Sequence, residues 1–410
     1  MSKAADASWP SKANCADSEN STENDSEGDS RVLEVKRIQR ICESVDHDLA
    51  RRAVSVVPDR ELRRECVREI RGGDGEYRAK TVRAVLKAFL RWAVEQLDSE
   101  MVFESMEGDT VKAPVPVSIS EEKAREYYAR LKDIERALVA FGHDPHTTML
   151  TFTGSSENAN GDPRCPVDQL DDVQSSWDPY LRRELDRVMK EAGFERFERH
   201  MDYDLANSIG YVFDGETASA KFYEYVTVIE PHKTGYGHFH VGVFASHELD
   251  QEMFQPVIEK HVDVCDIASS KAHDPDSEKT ISVNEVDPSV ECDSDEAEDG
   301  VVTNLGSYLS EYIGSFSDGE FLERPIHELV FYASCWATGR QRVRFSVGAN
   351  KMAAEGQRIR TGEPTPSATD WRLKEIVRPD GETHPPATGG GVETEAIRGA
   401  SSADPPPIYD

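Results

Sequence analysis

Two histidines stand at i and i+2 in the run Gly237-His238-Phe239-His240-Val241-Gly242-Val243-Phe244. The run is rich in β-formers, and in a strand alternate side chains share a face. His238 and His240 should then project together, roughly 7 Å apart at two strand rises, while Phe239, Val241 and Val243 pack the other way. A second β-rich run, Phe222 to Glu230, ends seven residues earlier, and the turn between them contains Gly235 and Gly237. If the two runs form a hairpin, Glu230 falls opposite His238 and shares its face. A carboxylate with two imidazoles suits Mn²⁺, Mg²⁺ or another first-row divalent ion, and it leaves coordination positions open for substrate oxygens. His232, inside the turn, is an alternative third ligand.

A second group of chemically capable residues lies downstream. Tyr308 and Tyr312 stand four apart in Leu305-Gly306-Ser307-Tyr308-Leu309-Ser310-Glu311-Tyr312-Ile313-Gly314, so in a helix they share a face. Alone, such a pair usually packs a core. Beside a metal it gains another use, because a phenol with a pKa of about 10 becomes an effective nucleophile towards a phosphate whose charge a metal stabilises. Arg340, Arg342 and Arg344 alternate in a β-like run, and no acid occurs from Leu329 to Lys351. On one face they would offer phosphate contacts, joined by Lys351; the plain alternative is a surface strand with solvated arginines.

The elements that must position these groups can be read in outline. Residues 1–30 are Ser, Asn, Asp and Glu with few aliphatics and are expected to be disordered. Residues 31–145 read as a mildly basic helical region, with 16 Lys and Arg against 13 Asp and Glu over residues 31–100. Val82, Val85, Leu86, Phe89, Leu90 and Ala93 recur at helical spacing, and a second helix fits Glu121 to Phe141, capped by Ser120 and ended by Gly142. From 146 to 352 strands and helices alternate. Strands are expected at Thr147 to Gly154, Phe222 to Glu230 and His238 to Phe244. Helices are expected at Asp178 to Ala192, Glu248 to Val262 and Leu305 to Phe316. Residues 274–300 hold eleven acids and one lysine and read as an exposed insertion with one short strand near Thr280 to Val286. Residues 353–410 are rich in Pro, Gly, Thr and charge and are expected to be disordered beyond a short turn near Trp371 to Val377. The fold class that follows is α+β, built on an antiparallel sheet.

Composition bounds the rest. The chain has 410 residues and a formal charge of −31, from 47 Lys and Arg against 78 Asp and Glu. So negative a field would repel DNA at ordinary ionic strength. The acids are spread along the chain and only 16 of the cations are lysine, a pattern similar to that of extreme halophiles. In molar salt the Debye length is roughly 3 Å, and long-range repulsion nearly vanishes. Seven cysteines, odd in number and widely spaced with no CxxC, read as reduced intracellular thiols, and a cytoplasmic location is expected. No apolar run is long enough to span a membrane and no secretory signal is visible.

The ordered motifs resemble those of a known family. His238-Phe239-His240-Val241-Gly242-Val243 is similar to the metal-binding motif of the HUH endonucleases, with a small residue at one apolar position. Met149-Leu150-Thr151-Phe152-Thr153-Gly154 resembles their first motif, and the Tyr308/Tyr312 helix resembles their nucleophile motif, in the same order. The two-tyrosine spacing resembles that of rolling-circle replication initiators of the phage and archaeal plasmid kind, and the run Trp336 to Gly348 resembles sequence of such initiators from haloarchaeal plasmids and viruses. The resemblance implies an HUH endonuclease domain that nicks single-stranded or extruded origin DNA with a divalent metal, Mg²⁺ or Mn²⁺. It further implies a 5′-phosphotyrosine link, strand rejoining by the second tyrosine, and host helicase and polymerase as partners. No GxxxxGK[ST] motif supplies a helicase within the chain. One departure is that the lysine found in many relatives three residues after the tyrosine is replaced by Glu311 after Tyr308 and Ser315 after Tyr312. An HUH relaxase or transposase, and a non-enzymatic DNA-binding regulator, remain as alternatives.

Overall fold

The computed structural model describes residues 35–44, 81–105, 108–115, 117–197, 221–232, 234–286, 305, 309, 321–362, 371–379 and 381–384. Residues 1–30, most of 287–320 with Tyr308 and Tyr312, and 385–410 lie outside the described residues, so the expectations placed there are not addressed by it.

A central sheet carries the ligand strands. Its order is β4 (Glu195–Arg196), β5 (Phe222–Pro231), β6 (Gly237–Ala245), β3 (His146–Phe152) and β7 (Ile281–Glu285), with β8 (Val343–Phe345) also paired to β5. All pairings are antiparallel except that of β4 with β5. The β5–β6 ladder runs from Tyr223↔Ala245 to Pro231↔Gly237 without a break. Both strands are buried almost throughout, which explains their near-continuous apolar reading.

Helices cover both faces. On one, Trp177 meets Tyr225 and Phe239 edge-on, with ring centroids 5.2 and 6.1 Å apart, and α3 (Pro166–Ser175), α4 (Arg182–Glu191) and α5 (Gln255–Val264) pack nearby. On the other, α7 (Val347–Thr361) lies along α2 (Glu121–Phe141). That crossing is close because Gly356 is bare: a Cβ there would sit 1.7 Å from the Asp133 carbonyl oxygen. At a sheet edge α1 (Val82–Leu97) packs on α6 (Ile326–Ala337) through Phe89, Trp92 and Trp336. A further helical segment spans 35–44.

The α+β architecture and antiparallel core agree with the sequence reading, and α2 begins and ends as expected, with Ser120 Oγ accepting from Lys123 N at 3.2 Å. Four details differ. The region 31–145 is not wholly helical: β1 (Glu100–Ser105) and β2 (Thr110–Pro114) form a hairpin. That hairpin joins β9 (Trp371–Val377) and β10 (Thr383–His384) in a second sheet, so the segment expected beyond 353 as disordered or a short turn contributes two strands. Pairing across some 270 residues leaves no local signal. Helix α7 also continues to Thr361, because Ala349, Met352, Ala353 and Gly356 bury a face of small residues that reads as low hydrophobicity. Finally, the helix expected from Asp178 begins at Arg182, and α3 precedes it. Among the described residues no helix is long and apolar enough to cross a membrane.

Past its last residue, β3 is held by side chains. His261 Nε2 bonds the Thr153 carbonyl at 3.0 Å, and Thr153 N donates to His273 Nε2 at 3.0 Å. Burial pushes the His261 imidazole down to about 4 and lowers His273 as well. The unfolded chain therefore protonates first as pH falls, and stability is lost between about pH 6.5 and 4. Between pH 7 and 5 His261 should account for roughly 2 kcal/mol of that loss. Unfolding free energies from denaturant melts at the two pH values should differ less in His261→Gln than in wild type by that amount; equal pH sensitivity would contradict this reading of His261.

Candidate metal centre

The unbroken β5–β6 register makes the centre. Glu230 pairs directly with His238, and Val228 with His240. Side chains directly opposite each other in an antiparallel pair share a face. Glu230, His238 and His240 therefore converge, and one donor atom from each lies within 4.8 Å of the others. Glu230 Oε2 is 3.4 Å from His238 Nε2, and Oε1 is 3.3 Å from His240 Nε2. Adjacent donors on an octahedral ion with bonds near 2.1 Å stand about 3.0 Å apart. The carboxylate–imidazole separations are close to that spacing.

The environment suits a cation. Glu230 and His240 are buried, whereas His238 keeps 19% of its side chain exposed, so the centre opens on the His238 side. Burial alone would raise the Glu230 pKa, but the two imidazoles facing it more than offset this and hold it below the usual carboxylate range. Glu230 Oε1 is buried, and its approach to His240 lacks the alignment of a hydrogen bond. A carboxylate whose two oxygens face two ring nitrogens with little solvent is a donor set that a divalent ion would satisfy.

Thr151, on β3, completes the centre from behind. It pairs with His240, and its Oγ1 lies 3.0 Å from His240 Nδ1. Thr151 can accept from Nδ1, and in that tautomer Nε2 would present its lone pair to an ion, as metal ligation requires. Thr151 lies in the Met149 to Gly154 motif, but sequence reasoning gave it no role. Its signal was the shared-face register with His240, visible only once the strands are paired.

The other expected site residues fare differently. His232, the alternative third ligand, is exposed, contacts Thr234 Oγ1 through Nδ1 at 2.9 Å, and stands outside the donor group. The basic face of Arg340, Arg342 and Arg344 does not form. Arg344 pairs with Thr227, which faces away from Glu230, and its guanidinium meets Asp178 at 3.2 Å. Arg340 precedes β8 and meets Asp171 at 2.7 Å. Arg342 is buried, 4.6 Å from the Tyr332 ring centroid. Ion pairing and aromatic packing thus absorb the three arginines away from the ligand face. Lys351 is half-buried on α7.

Within the tyrosine-bearing run from Leu305 to Gly314, the described residues are Leu305 and Leu309, and both are buried. Both touch the ligand face. A Cβ on Gly242 would lie 2.8 Å from Leu309 Cδ1 and 3.1 Å from Leu305 Cδ2. Gly242 shares its face with His238 and His240 by strand alternation. The missing side chain is what lets the two leucines seat there.

Mn²⁺ titration by calorimetry should show one site per chain. Glu230→Gln should abolish it, and Thr151→Val should weaken it by about 10- to 100-fold, the usual scale for a ligand's supporting hydrogen bond. Unchanged affinity in Glu230→Gln would remove Glu230 from the centre.

Comparison with known proteins places the chain in a family. A family model described as "Putative rep protein (DUF1424)" matches residues 49–213 and 198–384. An "Uncharacterized 36 kDa protein" of Halobacterium salinarum is 30% identical over 298 residues, covering 71% of this chain and 84% of the relative. A protein of the same description from Halobacterium sp. (strain GN101) is 30% identical over 319 residues, covering 74% and 84%. No solved structure matches. The relatives share the halophilic context that the acid excess pointed to, and the chain belongs to this rep-protein family.

Proposed function

We propose that the chain initiates rolling-circle replication by nicking one strand of a plasmid or viral origin, with a tyrosine as nucleophile and a divalent ion at Glu230, His238 and His240. Membership of a rep-protein family supports a role in replication initiation. The observation that carries the nicking reading is the seat of Leu305 and Leu309 on Gly242. Tyr308 directly precedes Leu309 in sequence, and Tyr312 follows three residues later. Leu305 and Leu309, the sequence neighbours of Tyr308, are thereby held on the face that bears the ligands.

The chemistry follows from these residues. The bound Mg²⁺ or Mn²⁺ would polarise the scissile phosphate and stabilise charge developing on its oxygens. Glu230 and His240, buried, hold the rigid side of the centre, while His238 lines the side from which a phosphate can enter. A tyrosine oxygen attacks phosphorus as its proton leaves to solvent. The bond from phosphorus to the 3′ oxygen breaks, and that oxygen takes up a proton to become the 3′-OH that primes synthesis. The 5′-phosphotyrosine retains the phosphodiester's energy: the second tyrosine cuts the regenerated origin, and the 3′-OH so freed attacks the first phosphotyrosine, expelling its phenol and restoring a phosphodiester with no nucleotide cofactor. Unpaired or extruded DNA is the substrate, since the reacting phosphate must reach a centre recessed in a sheet.

Purified protein with Mn²⁺ in molar KCl should convert a single-stranded origin oligonucleotide into an upstream fragment with a free 3′-OH and a downstream fragment joined to the protein through its 5′ phosphate. Mass mapping should place the adduct on Tyr308 or Tyr312. Cleavage by the Tyr308→Phe/Tyr312→Phe double variant at the wild-type rate would overturn the proposal.

A further inference from the structure

Gly237 opens β6 immediately before the ligand His238, at a place where the sheet runs out. The last β3–β6 pair is Phe152↔Phe239, so no backbone partner on the β3 side reaches Gly237. On the β5 side its register partner is Pro231, but the ladder turns the N–H and C=O of Gly237 away from that strand: Ile229, opposite Phe239, gives its N–H to Arg342 O, so neither that pair nor Pro231↔Gly237 is hydrogen-bonded. Left alone, the buried N–H and C=O of Gly237 would both be unsatisfied, and the ligand strand would be free to peel.

Gln169 of α3 fills that gap. Its Oε1 accepts from Gly237 N at 3.1 Å, and its Nε2 donates to Gly237 O at 2.9 Å, with a longer contact of 3.5 Å to Gly154 O. One side-chain amide thus reproduces the donor–acceptor pair that a β3 residue would have offered. Gln169 is 1% exposed, and Gly237 makes the approach possible, because a Cβ there would lie 2.5 Å from Leu170 Cδ1. A buried glutamine with both ends of its amide committed to one backbone residue is fixed in orientation. We infer that Gln169 is a positioning residue for the metal centre, acting through Gly237 to hold His238 at its place opposite Glu230. This inference rests on the metal reading of Glu230, His238 and His240.

The test uses the full-length protein, MnCl₂ as probe, and two readouts: the Mn²⁺ dissociation constant and the EPR spectrum of the bound ion. Gln169→Met keeps the volume and removes both hydrogen bonds; Gln169→Glu keeps the acceptor for Gly237 N and loses the donor. Gly356→Ala, at the distant α2–α7 crossing, serves as a variant that lowers stability without touching β6. Gln169→Met should weaken Mn²⁺ binding by about 10- to 100-fold, the scale for lost support of a ligand. Its EPR spectrum should change, with Gln169→Glu intermediate and Gly356→Ala unchanged in both readouts. Wild-type affinity and spectrum in both Gln169 variants, with wild-type protein binding Mn²⁺, would overturn the role of Gln169 and leave the centre standing. Failure of the wild-type protein to bind Mn²⁺ would instead overturn the centre, and the inference with it. If Gln169→Met does not fold, Gln169→Glu carries the same comparison.

Discussion

The register of β5 against β6 is the constraint on which the rest depends. Glu230 faces His238, and a slip of one residue would send its side chain to the opposite face. Three potential ligands from two strands therefore come together through backbone pairing, before any side chain contributes. The price of that arrangement is a carboxylate and an imidazole placed where solvent hardly reaches. Unpaired, such groups would weaken the sheet. Facing one another at 3.3 and 3.4 Å, they form a donor group that could hold a metal ion.

Around this hairpin the sheet is finished by side chains where strands fall short. Thr151 backs His240, Gln169 replaces the missing neighbour of Gly237, and His261 and His273 take both backbone groups of Thr153. Each answers the same need, since buried backbone and ring polar groups must be satisfied. Gly242 adds the complementary device. By leaving a depression in the ligand face it accepts Leu305 and Leu309, and so ties a distant segment to the hairpin.

Much of this was legible beforehand because its signals are local. The i, i+2 histidines, the β-rich runs flanking a short turn, and the capped helix from Glu121 to Phe141 all rest on periodicity and turn chemistry, and the structure places them within a residue or two. What was not legible depends on long-range pairing. The second sheet joins Glu100–Ser105 to Trp371–Val377, and α7 packs on α2 with small residues that carry little hydrophobic signal. The arginine run misled for a related reason. Its alternation was real, but the acidic partners Asp171 and Asp178 come from elements far away in sequence. An uncompensated stretch in one dimension became a compensated one in three. The charge of −31 agrees with the haloarchaeal source of the relatives, where molar salt screens long-range fields.

The central claim is that one divalent ion is held by both histidines of β6 together with Glu230. Electron spin-echo modulation on Mn²⁺-loaded protein tests it most directly, because it counts the nitrogens bound to the ion. The account predicts couplings from two imidazole nitrogens in wild type and one in His240→Ala. A wild-type spectrum with no nitrogen coupling, or one that His240→Ala leaves unchanged, would contradict it.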